Sequence, residues 1–441
     1  MPLLNRDTAD VLIVGAGAAG LAAAVFCARQ APGRRIFCVD GARNIGAKIL
    51  VSGGARCNVT NRVVTERDFW GGDPRVIRNV LRAYPAARAA SFFADLGVAL
   101  QEEEDGKFFP TTNRARTVLD ALIRALNDAG AELRPSCRIS GVQRGAHGFA
   151  VSTQDGHTHD ARIVVLATGG RSLPKTGSDG LGYQLARALG HGYIETTPAL
   201  VPLILRPAEG PAEGPAEGPA EAGHYRRDSL HTRLAGVAHP VAVTVRSDGA
   251  GAARLEGSML WTHFGVSGPV MLNASRHWLR ARLEGRAADV LLHVLPGATF
   301  SELEAWLREQ QREHPRALLR TVVASGLPAS VAEAWIAAAG IDADTAMAHL
   351  TREERRRLIA GLLETPLGVV DSRGYNYAEV TAGGVPLSEI DSATMESRVC
   401  PGLYLIGEML DVDGRIGGFN FQWAWSSAWV AANAIAKTLR A

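Results

Sequence analysis

The run from Asp10 to Asp40 constrains this chain more than any other. Asp10–Val14 is apolar, Gly15-Ala16-Gly17-Ala18-Ala19-Gly20 follows, an Ala-rich stretch continues to about Gln30, and Arg35–Val39 is apolar again before Asp40. Strand, Gly-rich turn, helix and strand make a β-α-β unit, which opens a doubly wound parallel sheet. The G-x-G-x-x-G spacing also selects a ligand class. The first Gly permits the tight turn, the second lets a pyrophosphate approach the backbone, and the third lets helix and strand pack closely. The helix N-terminus then faces the phosphate charge. Asp40 lies 20 residues after Gly20, where a carboxylate accepts hydrogen bonds from ribose hydroxyls.

The stretch Val11–Ala28 carries no charge over 18 residues and imitates a membrane segment. Three glycines interrupt it, and Asp7 and Asp10 precede it where a leader peptide has basic residues. We read a buried strand and helix, no targeting signal, no membrane partner and a cytoplasmic protein. Five cysteines at 27, 38, 57, 137 and 400 form no C-x-x-C pair, which points to a reducing compartment and away from a dithiol reductase. The formal net charge is +2, from 47 basic and 45 acidic residues, so a strongly basic nucleic-acid binder is not the default. Four of the 47 are Lys (48, 107, 175 and 437) and the rest Arg. That bias weakens any single Arg cluster as a functional signal, including Arg308, Arg312, Arg316 and Arg320, whose stripe Pro315 is expected to break.

Farther along, Asp73-Pro74 starts a helix, residues 75–96 have helical spacing, and 115–129 form a helix ended by Gly130. Residues 132–165 are short strands closing with Ile163–Leu166, and a helix at 181–189 ends at Gly190. Residues 207–221 read PAEGPAEGPAEGPAE. This repeat cannot bury a face, and we expect a disordered loop over 207–223. Strands are expected at His239–Arg246, Ala253–Gly257 and Ala288–Val294, with a hairpin turn at Asp248-Gly249. Residues 301–363 are helical, with capping boxes at Ser301…Glu304, Ser330…Glu333 and Thr351…Glu354. Strand signals return at Gly368–Val370, Ala378–Thr381 and Leu403–Ile406, before a last helix from about Gln422 to Lys437 that buries Trp423, Trp425 and Trp429. Ile163–Gly170 and Leu403–Glu408 are strands ending in small-residue turns, and Gly417–Phe421 opens the last helix. A cofactor that needs both ends of the chain is FAD more readily than NAD. Arg254 stands where a second Gly fingerprint would need its third Gly, so a nicotinamide would bind transiently, or electrons would arrive by another route. His157-x-His159 lacks a nearby third ligand, and no metal is expected.

Six blocks taken together resemble the BaiN/RdsA family of FAD-dependent flavoproteins: DVLIVGAGAAGLAAA, AKILVSGGARCNVTN, LATGGRSLPKTGSDGLGY, THFGVSGP, TAGGV…TMESRV and GLYLIGEMLDVDGRIGGFNFQWAWSS. They run in order from residue 10 to about 430. The resemblance implies an α/β fold in which a split Rossmann-like FAD-binding domain (1–195 and the end of 365–441) carries an inserted β-barrel (196–296, with a return strand after 365) and a small helical domain (297–364). It implies an oxidoreductase that transfers hydride through flavin N5, with NAD(P)H as donor. The substrate would be a small molecule, such as a bile acid, an enone or an amine, or uridine in large-subunit ribosomal RNA; an FAD-binding protein without turnover is the third possibility.

By the same resemblance, Lys48, Ser52, Gly53, Gly54, Arg56, Cys57 and Asn58 pass the flavin. Gly15, Gly17, Ala18, Ala19, Gly20, Asp40, Gly41, Ile139, Ala167, Thr168, Gly169 and Gly170 complete the dinucleotide side. Gly407 and Glu408 would hold the ribitol, and Gly417, Gly418, Phe419, Asn420 and Phe421 would aim a helix N-terminus at the flavin N1–C2=O edge. The chain departs from the family at Ala55, where Gly is usual, and in its PAEG insertion. Reduction of a C=C bond needs a proton as well as a hydride. Cys57 is the candidate donor, or else a small buried residue that packs the loop. His263, in THFGVSGP, is the second candidate, as acid, base or anchor, or else a hydrogen-bonded structural residue.

Overall fold

The computed structural model describes residues 7–206 and 230–440. The repeat expected to be a disordered loop, at 207–223, lies outside the described residues. The chain divides into two compact units, Met1–Pro198 with Tyr375–Ala441, and Ala199–Gly374.

The first unit is built on a seven-stranded sheet. Glu132–Arg134, Ile36–Val39, Asp7–Val14 and Thr158–Leu166 run parallel in that order. Thr158–Leu166 is long enough to serve two partners. Its first half pairs antiparallel with Gly148–Thr153, and its second half pairs parallel with Leu403–Leu405 from the far end of the sequence. Returning the C-terminal strand to this sheet joins the two ends of the chain in one unit.

The helix Ala18–Gln30 is buried from Ala19 through Ala28. Its small side chains let it pack closely against the sheet and against the last helix, Phe419–Arg440, which buries Trp423 and Trp425. Both indoles are also tied to backbone near the site: Trp423 Nε1 donates to Gly407 O at 3.1 Å, and Trp425 Nε1 to Val59 O at 2.9 Å. Helical spacing over 75–96 resolves into two helices, Pro74–Ala83 and Ala86–Asp95. Pro85 separates them, because proline can neither donate in a helix interior nor leave the preceding residue helical.

The second unit has its own core and its own seven-stranded sheet, in the order Thr365–Leu367, Ala288–His293, Ala238–Ser247, Ala250–Thr262, Gly265–Ser267, Leu203–Leu205, Val369–Ser372. The hairpin at Asp248-Gly249 is present, with Gly249 at φ 70°. Gly368 alone separates the two edge strands in sequence. The helices Phe300–Glu313, Leu319–Val323, Ala329–Ala338 and Arg352–Leu363 share the sheet's core, with Trp261 and Trp335 6.0 Å apart between ring centres.

Of the three expected capping boxes, Thr351…Glu354 forms. Thr299…Glu302 replaces Ser301…Glu304, since the helix starts two residues earlier, and Pro328 rather than Ser330 is the N-cap residue of Ala329–Ala338, with no side-chain capping bond. The Arg308–Arg320 spacing makes no continuous stripe: the helix ends at Glu313, Arg312 pairs with Glu309 and Glu313, and Arg320 pairs with Asp344.

Candidate functional site

Register gathers the candidate residues at the carboxyl end of the first sheet's parallel strands. Val14 pairs with both Val39 and Leu166, and Leu166 with Leu405, so four parallel strands end at one level. Gly15, Asp40, Ala167 and Ile406-Gly407 follow directly. In open parallel sheets ligands bind beyond these carboxyl ends.

The three fingerprint glycines meet different neighbours. A Cβ on Gly15, which has φ 106°, would fall 2.5 Å from Ala167 O. On Gly20 it would fall 1.8 Å from Gly15 O. On Gly17 it would meet nothing within 4 Å. Two of the glycines are therefore demanded by the fold. The third keeps open the ground in front of the Ala18–Gln30 N-terminus, where a pyrophosphate would sit. The residues present thus fit a dinucleotide. The Asp40 carboxylate accepts from Ala16 N at 2.7 Å and Ala42 N at 2.8 Å, which fixes it beside the turn. Gly41 lies against the Arg138 stem, and Ile139 is buried in the adjoining strand. Ala18 and Ala19 form the first helical turn, and Thr168 lies within 4.0 Å of Met409 Sδ.

The 52–58 loop is wound in an unusual way. Gly53, Gly54, Ala55 and Cys57 all have φ between 54° and 68°, the left-handed region. Cys57 has no exposed surface, and burial pushes its thiol up to about 12, although a Ser52 hydrogen bond pulls the other way. Placed to satisfy its neighbours, the Asn58 amide donates to Thr60 O and Phe108 O and accepts from Gly418 N. This links the loop to the Gly417–Phe421 turn. Asn420 closes that turn with two bonds to Gly414, and Phe421 stacks on Trp425 at 5.6 Å.

Glu408 is the centre of a polar cluster. Its carboxylate is met by Lys48 Nζ, by Ser172 Oγ at 2.8 Å and by Thr381 N at 3.0 Å; Lys48 also bonds Ser172. A Cβ on Gly170 would strike Thr381 and Glu408 within 2.9 Å, and Gly169 has φ 72°. His263 belongs to the second unit. It is exposed on the turn before Gly265–Ser267, edge-on to Phe264 at 5.2 Å, and Phe264 is capped by Arg373 at 4.6 Å.

The family model for the HI0933-like protein Rossmann domain matches residues 9–434. The chain belongs to the HI0933-like family. It is an FAD-dependent oxidoreductase. A ribosomal RNA dihydrouridine synthase of Escherichia coli (strain K12) is 33% identical to this HI0933-like protein over 96% of this chain and 97% of that one. A 3-dehydro-bile acid delta(4,6)-reductase of Clostridium scindens is 31% identical over 96% and 98%. Among solved structures, Mycobacterium smegmatis Sdh1 in complex with UQ1 superposes with a TM-score of 0.51 at 15% identity, covering 99% of this chain and 70% of that one, which is a likeness of fold.

Four residues of this HI0933-like protein escape sequence reasoning. Ser172 and Thr381 hold Glu408, and their signal was their place inside the LATGGRS and TAGGV blocks. Desolvation pushes the Glu379 carboxyl pKa up, an effect the Lys48 charge opposes, although the residue keeps exposed surface. Tyr183 is buried with an unpartnered hydroxyl, and burial and the Glu408 charge push its pKa well above the usual phenol range. Neither Glu379 nor Tyr183 has a sequence signal apart from lying beside a motif. Among the described residues no cluster of His, Cys, Asp and Glu suits a metal, and no helix is long and apolar enough to cross a membrane. His157 is exposed, whereas His159 is buried near Cys137.

Proposed function

We propose that this protein reduces uridine to dihydrouridine in large-subunit ribosomal RNA, in the cytoplasm, with NAD(P)H as electron donor. The observation that carries the reading is similarity over nearly the whole chain to two proteins named ribosomal RNA dihydrouridine synthase, at 33% and 32% identity. Reduction of a bile acid or another enone is the second reading, carried by the similarity to the Clostridium scindens reductase.

Bound FAD supplies the hydride from N5. The chain's own residues do the rest. The Gly17 turn and the N-terminus of Ala18–Gln30 would take the pyrophosphate, and Asp40 would take the adenosine ribose. Lys48 and Glu408 would hold the ribitol, with Ser172 and Thr381 fixing the carboxylate. The Gly417–Phe421 turn would offer a helix N-terminus to the ring, an end that favours negative charge. Of the two proton-donor candidates, His263 has an exposed ring, while the Cys57 thiol has no exposed surface. We assign Cys57 a packing role and keep His263 as acid or anchor. Within the second unit we read the sheet as a barrel closed through Gly368, with the small helical domain over 297–364 packed on the same core.

Mass spectrometry of ribosomal RNA from cells with and without the gene tests the proposal. Loss of a large-subunit uridine carrying two extra hydrogens, restored by the intact gene, is the expected result. Unchanged RNA would move the assignment to a small enone, to be sought by bleaching the purified flavin with NAD(P)H and screening acceptors.

A further inference from the structure

A cavity of about 400 Å³ lies on the first unit beside the 52–58 loop, lined by Arg56, Glu103, Glu104, Lys107 and Phe109. Phe109 is its buried floor. The Arg56 guanidinium lies over that ring at 4.0 Å and is held by Glu103 through Nη1, at 2.8 and 3.0 Å. With Asn113 Oδ1 at 3.5 Å from the same Nη1, this pins Arg56, whose Nε and Nη2 have no hydrogen-bond partner among the described residues. Lys107 is anchored by Asp105 at 3.0 Å, which uses one of its three N–H bonds. Glu104 is exposed and makes no ion pair among the described residues. The cavity adjoins the candidate flavin loop on both flanks: a Cβ on Gly53 would come within 3.2 Å of Phe109, and one on Gly417 within 3.7 Å of Lys107 Cε.

We propose that this cavity binds the edge of a cyclic imide, O=C–NH–C=O. Arg56 and Lys107 are donors, and the Glu104 carboxylate is an acceptor. Together they offer two donor groups and one acceptor, the set that complements the two carbonyls and one N–H of an imide. Other ligand classes fit less well. A phosphate would meet two carboxylates, Glu103 and Glu104, beside two cations that are each already paired with a carboxylate. A fused hydrocarbon ring would strand every polar group in the pocket, at the cost of leaving them unpaired. Two molecules present at such a site carry the imide edge: a uracil base of RNA and the pyrimidine end of the flavin. The uracil source rests on the function proposed above.

The test uses the FAD-loaded protein and two probes, octauridylate and the same oligomer methylated at every N3. If the cavity takes uracil, the native protein binds octauridylate about tenfold more tightly than the methylated oligomer. Glu104→Ala and Lys107→Met then each erase that preference while FAD content is unchanged. If the cavity takes the flavin edge, neither oligomer is preferred. The same variants then release FAD about tenfold more readily, and the native protein holds 3-methyl-FAD correspondingly less well than FAD. Equal binding of both oligomers together with unaltered FAD retention in both variants overturns the proposal. Failure here is separable from failure of the function: dihydrouridine formed in cells with no imide preference sinks the cavity alone, and an imide preference without dihydrouridine sinks the function alone.

Discussion

Ala55 is where one side chain most visibly opposes the backbone it sits on. It is exposed, and its φ of 65° is a conformation in which a Cβ crowds the following carbonyl. Ala55→Gly should therefore stabilise the first unit by about 1 kcal/mol, read as a higher urea midpoint with an unchanged slope. The opposite effect would mean that the loop is not held left-handed in solution. Cys57 makes a second residue-scale prediction. An unfolded thiol ionises near pH 9, whereas the buried one keeps its proton to about 12. Between those values the unfolded state binds fewer protons, so stability falls as pH rises, by up to about 1.4 kcal/mol per pH unit. Cys57→Ala should flatten that alkaline fall without changing stability's pH dependence below pH 8. Cys27, pushed up to about 12 by its own burial, adds a parallel fall that remains in the variant.

At the scale of elements, the turn from Asp7–Val14 into Ala18–Gln30 separates folding from binding. Gly20→Ala drives a Cβ into Gly15 O and should cost about 3 kcal/mol or more. Gly17→Val has free space around it and should fold with native circular dichroism yet purify without FAD. Equal flavin content in Gly17→Val and the native protein would remove the pyrophosphate assignment. The G-x-G-x-x-G spacing made both glycines legible in the sequence. It did not distinguish their roles, because the difference lies in what the neighbouring Ala167 turn and Gly15 carbonyl occupy.

Across the whole molecule, two separate apolar cores underlie the two units. Calorimetry should show two unfolding transitions, of which at least one rises with added FAD, since a ligand that binds the native state alone stabilises it by mass action. A single transition indifferent to FAD would contradict both the division and the binding site. The joining of the chain's two ends was readable from motifs at residues 10–40 and 403–421. The grouping of the helices over 300–363 with the sheet that precedes them was not, because their amphipathic spacing says that each buries a face but not against what.

The sequence by itself determined the β-α-β opening, the dinucleotide turn and the family, because each depends on residue types at fixed local spacing. Tertiary structure decided which carboxylates stand free and which are already held. Glu408 is met by Lys48, Ser172 and Thr381, three partners drawn from distant segments. Cys57, the acid candidate in the sequence, is sealed beneath its own loop. Burial and long-range hydrogen bonding set the reactivity of such groups, and neither is encoded in the spacing of one segment.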